Sequence, residues 1–259
     1  MARAFTLILL LLAGGLSLNL LAWWLADRLM YPAPPAQYGP DLVNVTLPLA
    51  SGERLAARLS VPARARGLVL YAHGNGEDLG SLRGRMAAWN QRGYGILAWD
   101  YPGYGLSEGR PSEKGAIAAQ QAAYAYATDV LGVAAERIIL YGRSIGSGPT
   151  LWLAGQVPIG AVILEAPFTG VLDVVLPLPW LLDRFPNEDR IADSRAPVLI
   201  IHGDADTVIP QKHGRRLLKA APPGSGYLWV TGAGHNNIVE SAGALYWDAI
   251  ERFLSNVEP

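Results

Sequence analysis

The chain has 259 residues, of which 51% are hydrophobic and 17% charged, and its formal net charge is −1. This length suits one or two domains with a large buried core, and the apolar content excludes a disordered chain. Basic and acidic residues nearly balance, at 21 and 22, and no basic run occurs, which argues against nucleic-acid binding. The absence of cysteine excludes disulfides, thiolate metal sites and a cysteine nucleophile.

An uncharged apolar segment covers residues 4–26 near the N-terminus. As a helix, its 23 residues are long enough to span a hydrocarbon core of about 30 Å. Trp23 and Trp24 near its far end suit the interfacial aromatic belt of a membrane. We therefore predict a single transmembrane anchor within residues 1–28. A signal peptide cleaved near residues 13–15 and a buried core helix are the alternatives.

The charges beside this segment bear on its orientation. Arg3 precedes the segment, whereas Asp27 and Arg28 follow it, so the positive-inside bias is weak. A short charged start followed by a leucine-rich run is similar to an export signal, and we expect the globular part to lie outside the cytoplasm. A stiff proline-rich connector is predicted at residues 29–41 and the globular domain at residues 42–259.

The globular domain alternates between predicted strands and helices. Residues 42–49 and 54–61 predict a β-hairpin around a Ser-Gly turn. Further strands are predicted, mostly as the continuous apolar runs of buried parallel strands, at residues 67–72, 95–99, 137–141, 160–164, 197–201 and 227–230. Helices are predicted at residues 79–91, 112–130, 145–156, 211–220 and 238–254. The pattern predicts an α/β fold with a mixed, mostly parallel sheet of about eight strands flanked by helices.

A G-x-S-x-G pattern at residues 142–146 follows one predicted strand and precedes a helix. In that context the glycines permit a tight turn, and the turn lifts the Ser144 hydroxyl above the sheet. The amide of Ile145 at the helix N-terminus can then stabilise an oxyanion. Ser144 is therefore the candidate nucleophile for hydrolysis of an ester, thioester or amide. Arg143 beside it is expected to form a structural ion pair, with binding of a substrate carboxylate as the alternative.

A serine nucleophile needs a base, and the chain has four histidines. His235 lies in a glycine-rich loop after the last predicted strand, from which it can reach Ser144, and we predict that it is the base. His73 and His202 end predicted strands, where we expect them to hydrogen-bond to the backbone. His213 stands among basic residues, and we expect it to be solvated on a helix.

The base in turn needs a carboxylate that holds its tautomer. Asp204 and Asp206 both follow the strand that ends at His202, and either one fits the order serine, acid, histidine. Glu165, at the end of another strand, is a further candidate. Asp100 is expected to order a glycine-rich loop instead.

Two other stretches are candidates for the site. An H-G-x-G pattern ends an early strand, and the backbone near Asn75 can supply a second oxyanion donor. The apolar segment at residues 167–193, with Phe168, Trp180 and Leu181 as candidate substrate contacts, predicts a wall for an acyl chain. A helix packed on the sheet is the equal alternative for this segment. No metal or nucleotide motif accompanies these residues, so we expect no cofactor.

From about residue 30 to residue 254 the chain resembles the α/β-hydrolase superfamily. More narrowly, it resembles the N-terminally membrane-anchored serine hydrolases, which include eukaryotic protein depalmitoylases and many uncharacterised bacterial members. The resemblance rests on residues 73–76, 100–107, 142–148, 165–169, 202–206 and 234–235. It implies a hydrolase fold with a short cap, Asp206 as the acid, and oxyanion amides at Asn75 and Ile145. Pro102 departs from the arginine that many relatives carry.

We therefore expect a membrane-anchored serine hydrolase that cleaves small-molecule or lipid-like carboxylic esters or thioesters. The expected catalytic residues are Ser144, Asp206 and His235. A catalytically silent binding protein that kept the fold is one alternative. A serine peptidase is the other, and only the lack of a recognisable specificity domain argues against it.

Overall fold

The computed structural model describes residues 14, 15, 17, 30–175 and 184–257 of the chain. The anchor predicted within residues 1–28 lies almost entirely outside these residues, as does the middle of the predicted cap segment, residues 176–183. In the part that is described, no helix combines the length and the apolar character needed to cross a membrane. The anchor and its orientation therefore stay predictions.

The described residues contain an eight-stranded sheet with the order β1-β2-β4-β3-β5-β6-β7-β8. Its strands are β1 (Val45–Pro48), β2 (Arg54–Ser60), β3 (Leu68–Ala72), β4 (Gly95–Trp99), β5 (Ile138–Arg143), β6 (Ala161–Glu165), β7 (Val198–Gly203) and β8 (Gly226–Val230). Strand β2 pairs antiparallel with β1 and with β4, and the other neighbouring pairs are parallel. The predicted mixed, mostly parallel sheet of about eight strands is confirmed.

The burial of the strands explains why the sequence pattern changes along the chain. Every residue of β3, β4, β5, β6 and β7 is buried, as continuous apolar runs require in a sheet covered on both faces. Burial alternates along β1, which lies at the edge of the sheet. One face of such an edge strand meets water, so its alternate residues are polar or exposed.

Helices cover both faces of the sheet. They are α1 (Arg83–Gln91), α2 (Glu113–Ala125), α3 (Ser147–Ala154), α4 (Val171–Val175), α5 (Asn187–Ala192), α6 (Lys212–Ala220), α7 (Ile238–Ala242) and α8 (Ala244–Val257). One core cluster contains Ala119 of α2, Leu151 of α3 and Leu217 of α6. The other contains Trp89 of α1 and Phe253 of α8. The two clusters lie on opposite faces of the sheet, because successive strand residues contribute to them alternately.

The structure corrects two predicted helices. The helix predicted at residues 112–130 changes from α2 to a π-helical turn at Tyr126–Val130. The helix predicted at residues 238–254 is two helices, because Gly243 adopts φ 55° and ψ −128°, a conformation that only glycine accepts readily. Helix α5 falls inside the predicted cap segment and buries Ile191 in the core.

Candidate active site

The candidate residues lie beyond the carboxyl ends of neighbouring parallel strands. Asn75 follows β3, Ser144 follows β5, Asp206 follows β7, and His235 lies in the loop after β8. Parallel strands end at the same edge of a sheet, so their loops meet there. This edge gathers side chains that are far apart in the sequence.

The turn at Ser144 has the strained backbone that its motif predicts. Ser144 has φ 52°, in the left-handed region that non-glycine residues seldom occupy. A Cβ atom at Gly142 would lie 2.7 Å from the carbonyl oxygen of Gly146, and one at Gly146 would lie 2.2 Å from that of Ala72. Both glycines are therefore required by close contact. Ser144 itself is only 7% exposed.

The side chains of Ser144, His235 and Asp206 form a continuous chain of contacts. His235 Nε2 lies 3.0 Å from Ser144 Oγ. His235 Nδ1 lies 2.7 Å from Asp206 Oδ2. Both distances are within hydrogen-bond range, so the structure brings the predicted nucleophile, base and acid together in that order.

The environment of Asp206 keeps its carboxylate ionised. Burial raises its pKa, but hydrogen bonds from His202, from His235 and from the amide of Ile209 outweigh burial and hold the pKa of Asp206 well below its usual range. Its Oδ1 accepts from the amides of Val208 and Ile209, each at 2.8 Å. Oδ2 is thereby aimed at His235.

The other candidate carboxylates have different partners. Asp204 is exposed and accepts a hydrogen bond from the amide of Gly232 at 2.7 Å. Asp100 accepts from the amide of Leu79 at 2.9 Å, which agrees with a role in ordering its loop. Glu165 is buried among arginines on the neighbouring strand and helix. Of these carboxylates, it is Asp206 that contacts His235.

The remaining histidines are buried. His73 Nδ1 lies 2.8 Å from the carbonyl oxygen of Gly74, and His202 Nε2 lies 2.8 Å from that of Ile209, so both contact backbone as expected. The expectation of a solvated His213 is wrong.

His213 is 1% exposed, and its Nδ1 lies 2.8 Å from Thr169 Oγ1. Burial lowers the pKa of His213 and favours its neutral form. The basic residues beside it in sequence, Lys212 and Arg215, occupy the exposed face of α6. Leu217, four residues after His213, was the signal that the histidine shares the buried face.

The two predicted oxyanion donors flank the turn at Ser144. Asn75 directly follows Gly74 in the loop after β3, and Ile145 directly follows Ser144. The Asn75 side chain is fixed, because its Oδ1 accepts from the hydroxyl of Tyr104 at 2.6 Å. The sequence reasoning missed Tyr104. An aromatic residue within a glycine-rich loop is the feature of the sequence that could have indicated this contact.

Comparisons with known proteins identify the family. A family model described as serine aminopeptidase, S33, matches residues 63–188. Alpha/beta hydrolase domain-containing protein 17C of Xenopus tropicalis is 40% identical over 199 residues, which are 75% of this chain and 64% of that protein. Protein 17B of the same series, from Homo sapiens, is 37% identical over 211 residues, which are 80% of this chain and 73% of that protein. The chain belongs to the α/β-hydrolase superfamily. It spans less than two thirds of the length of the 17C relatives that it matches.

Solved structures show the same fold. An esterase of Pyrococcus furiosus superimposes with a TM-score of 0.71 at 19% identity, over 88% of this chain and 97% of the esterase chain. The esterase domain of a Rhodothermus marinus protein superimposes with a TM-score of 0.64 at 23% identity, over 81% of this chain and 98% of that chain. At such identities the likeness concerns the fold alone.

In this α/β-hydrolase, the connector after the predicted anchor packs against the edge of the sheet that carries the candidate site. The ring of Tyr31 meets that of Tyr104 edge-on, with 6.3 Å between their centroids. The hydroxyl of Tyr38 donates to Asp100. Through Tyr104, the connector therefore touches the loop that holds Asn75.

A buried ionic cluster lies next to the candidate site of the hydrolase. Glu165 accepts hydrogen bonds from Arg85 Nη1 at 2.9 Å, from Arg143 Nε at 3.1 Å and from the hydroxyl of Tyr246 at 2.6 Å. Tyr141 donates to the same carboxylate. Burial raises the pKa of Glu165, but the two arginines and two tyrosines outweigh burial and lower the pKa to about 2. The expectation that Arg143 forms a structural ion pair agrees with this geometry.

Two of the three predicted substrate contacts fall outside the described residues. Phe168 is 2% exposed, and its ring packs edge-on against Phe185 with 6.3 Å between the centroids. Trp180 and Leu181 lie outside the described residues. The wall for an acyl chain stays a prediction.

Replacing Glu165 tests the ionic cluster. Glu165→Gln should destabilise the fold at pH 7 by about 3–5 kcal/mol, because Arg85 and Arg143 lose their buried counter-charge. The pKa of Glu165 is about 2 in the folded chain and 4.5 without the fold. Its stabilising effect is therefore fully present above pH 4.5 and is lost as the pH falls toward 2. Urea unfolding from pH 7 to pH 3 should show the gap between wild type and variant shrinking.

The matched control for this prediction is Glu251→Gln. Glu251 pairs with Arg92 at 3.4 Å on the surface, with 48% of its side chain exposed. Its loss should change the free energy of unfolding by no more than about 1 kcal/mol. A Glu165→Gln effect as small as this control, or one that does not change with pH, would contradict the ionic role of Glu165.

Proposed function

We propose that this protein is a serine hydrolase that cleaves carboxylic esters or thioesters through an acyl-enzyme intermediate. One observation carries the proposal. His235 contacts Ser144 Oγ through one ring nitrogen and Asp206 through the other, at 3.0 Å and 2.7 Å. A hydroxyl, an imidazole and a buried carboxylate in this order are what nucleophilic acyl transfer needs. Membership of the hydrolase superfamily supports the same conclusion.

In the proposed reaction, Ser144 Oγ attacks the acyl carbonyl carbon while His235 Nε2 takes the hydroxyl proton. The carbonyl oxygen becomes an oxyanion, which the amides of Asn75 and Ile145 stabilise. The imidazolium then gives its proton to the leaving alcohol or thiol, and the acyl group stays on Ser144. Water, deprotonated by the same imidazole, attacks this ester, and the imidazolium returns the proton to Ser144 Oγ as the acyl–Oγ bond breaks and the acid leaves.

Asp206 supports the base in two ways. As a carboxylate it accepts the Nδ1 proton of His235, which leaves Nε2 free to take the proton from Ser144. Its negative charge also stabilises the imidazolium that forms during each step. The low pKa of Asp206 means that it does not itself take up the proton.

The strained turn supports the nucleophilic role of Ser144. A residue with φ 52° costs the fold about 1–3 kcal/mol, and such strain persists where the surroundings enforce it. The turn places Ser144 Oγ 3.0 Å from His235 Nε2 and puts the amide of Ile145 directly after the nucleophile. Both results serve acyl transfer, whereas a binding protein that had lost catalysis would need neither.

A serine peptidase is the second candidate, because the matching family model is described as a serine aminopeptidase. Both reactions use the same nucleophile and base and differ in the leaving group, which is an amine in the peptidase. The resemblance to depalmitoylase-like hydrolases favours an acyl ester or thioester over a peptide. A substrate series that contains both classes separates the two candidates.

Variants of the proposed triad test the mechanism. Ser144→Ala should abolish measurable hydrolysis of p-nitrophenyl esters and labelling by a fluorophosphonate probe. Asp206→Asn should lower kcat by roughly 10³–10⁴, because His235 would be held in the wrong tautomer. Steady-state kinetics and probe labelling of the full chain measure both effects.

Asp204→Asn is the matched control for Asp206→Asn. Asp204 lies two residues from Asp206 but bonds to Gly232 and does not touch His235, so its loss should change kcat by less than about tenfold. If Asp204→Asn is the more damaging variant, the acid is misassigned. If folded wild-type protein resists the probe and cleaves no substrate, the silent binding protein is the better description.

Acyl-chain length tests the substrate class. If the segment at residues 167–193 lines the site, kcat/KM should rise from acetyl to octanoyl p-nitrophenyl esters, by up to about fourfold for each CH₂ buried. The same panel includes an acyl thioester and an aminoacyl p-nitroanilide. A strict preference for acetyl would mean that the segment only packs on the sheet. Faster cleavage of the anilide would favour the peptidase.

We propose further that the hydrolase domain lies outside the cytoplasm, tethered by the apolar segment at residues 4–26. The short connector would hold Ser144 near the membrane, where lipid-like acyl substrates are available. Alkaline phosphatase fused after residue 259 and expressed in bacteria should be active, because that enzyme works only after export. A stable but inactive fusion would place the domain in the cytoplasm.

A further inference from the structure

We propose that Arg143 is a positioning residue that fixes both loops of the active site, the one carrying the base and the one carrying an oxyanion donor. This inference rests on the proposed function and names the residue on which the geometry of the reaction depends. Arg143 directly precedes Ser144 and is the last residue of β5. Its side chain is 9% exposed. It therefore lies beneath the site, within reach of both loops.

The first contact of Arg143 holds the loop of the base. Its Nη2 donates to the carbonyl oxygen of His235 at 3.2 Å and to Oδ1 of Asn236 at 2.8 Å. This loop contains two glycines, and Gly232 has φ 73°. Glycine-rich backbone is conformationally free unless other groups restrain it. The guanidinium supplies that restraint at His235 itself.

The second contact holds the loop of the oxyanion donor. Arg143 Nη1 lies 3.1 Å from Oε2 of Glu77. The same oxygen accepts the amide proton of Gly74 at 2.6 Å. A Cβ atom at Gly74 would lie 2.5 Å from Nη1, so this glycine makes room for the guanidinium. Gly74 directly precedes Asn75, and the contact therefore fixes the backbone that presents the Asn75 amide.

The third contact anchors Arg143 itself. Its Nε donates to Oε1 of Glu165 at 3.1 Å, a carboxylate that also accepts from Arg85, Tyr141 and Tyr246. Burial lowers the pKa of Arg143, but Glu77 and Glu165 outweigh burial and raise it, so the side chain stays charged. All three guanidinium nitrogens have protein partners, which leaves none aimed at a substrate carboxylate.

Only arginine has the geometry for this task. A planar guanidinium presents donors in fixed directions, so one group can serve Glu165, Glu77 and the His235 loop at once. A lysine ammonium is a single point charge on a flexible stem and cannot span the three partners. Because a shift of about 1 Å in a reacting group can cost 10²-fold in rate, loosening these loops should be felt in kcat.

Arg143→Lys tests the proposal in the full chain. It should lower kcat for p-nitrophenyl esters by about 10–100-fold with KM changed less than about threefold, because the reacting groups move and the substrate wall does not. Arg85→Lys is the matched control. Arg85 binds the same Glu165 carboxylate and touches neither loop, so this variant should keep kcat within about threefold of wild type. Equal losses of kcat in the two variants would overturn the positioning role.

A second set of variants leaves Arg143 and Glu165 paired and so preserves the anchor of the cluster. Asn236→Ala weakens the hold on the base loop, and Glu77→Gln weakens the hold on the oxyanion loop. Each variant should lower kcat several-fold in the wild-type background. It should have little further effect in the Arg143→Lys background, because the guanidinium that contacts both loops is already gone. Fully multiplicative losses would show that Arg143 does not connect the loops.

Hydrogen exchange separates failure of this proposal from failure of the proposed function. In Arg143→Lys, backbone amides at residues 74–77 and 233–237 should exchange faster than in wild type, whereas in Arg85→Lys they should not. This measurement needs no substrate. Faster exchange in a protein that hydrolyses nothing would retain the positioning role and reject the hydrolase. Unchanged exchange in an active hydrolase would reject the positioning role alone.

Discussion

The left-handed backbone of Ser144 is the constraint on which the candidate site depends. A side chain at φ 52° is strained, and the turn persists because α3 and β3 enclose it on both sides. The carbonyl oxygen of Ala72 lies so close to Gly146 that β3 and the start of α3 must be in direct contact. The same close contact brings the loop after β3, with Asn75, beside Ser144. The contact at Gly146 therefore sets the positions of both candidate oxyanion donors.

Buried charge imposes the second requirement at this edge of the sheet. An ionised group removed from water needs a partner and further hydrogen bonds, because an unpaired buried charge is very costly. Glu165 meets this need with two arginines and two tyrosines, and Asp206 meets it with two histidines and two backbone amides. The partners of each carboxylate come from different strands, helices and loops, and their bonds connect elements that the backbone alone would leave independent. The charges thereby convert a cluster of loops into a fixed arrangement.

The sequence and the structure agree where a local pattern controls the outcome and differ where packing does. The strands follow from apolar runs, and the predicted sheet is confirmed. The sequence predicts one final helix over residues 238–254, whereas the structure divides it at Gly243, whose backbone leaves the helical conformation. His213 was expected in solvent because its neighbours in sequence are charged, yet those neighbours point to the opposite face of α6.

By itself, the sequence determined the fold class, the turn at Ser144 and the order of the candidate nucleophile, acid and base along the chain. These features depend on residues that are close in sequence, such as Gly142 and Gly146, or on the periodicity of apolar side chains. Only the tertiary structure decided which carboxylate faces His235 and which groups surround Arg143. Such choices depend on contacts between distant residues, and Arg85 and Tyr246, for example, are 161 positions apart. Hydrogen bonds and ion pairs of this kind leave no local pattern, because any donor on a neighbouring element could have formed them.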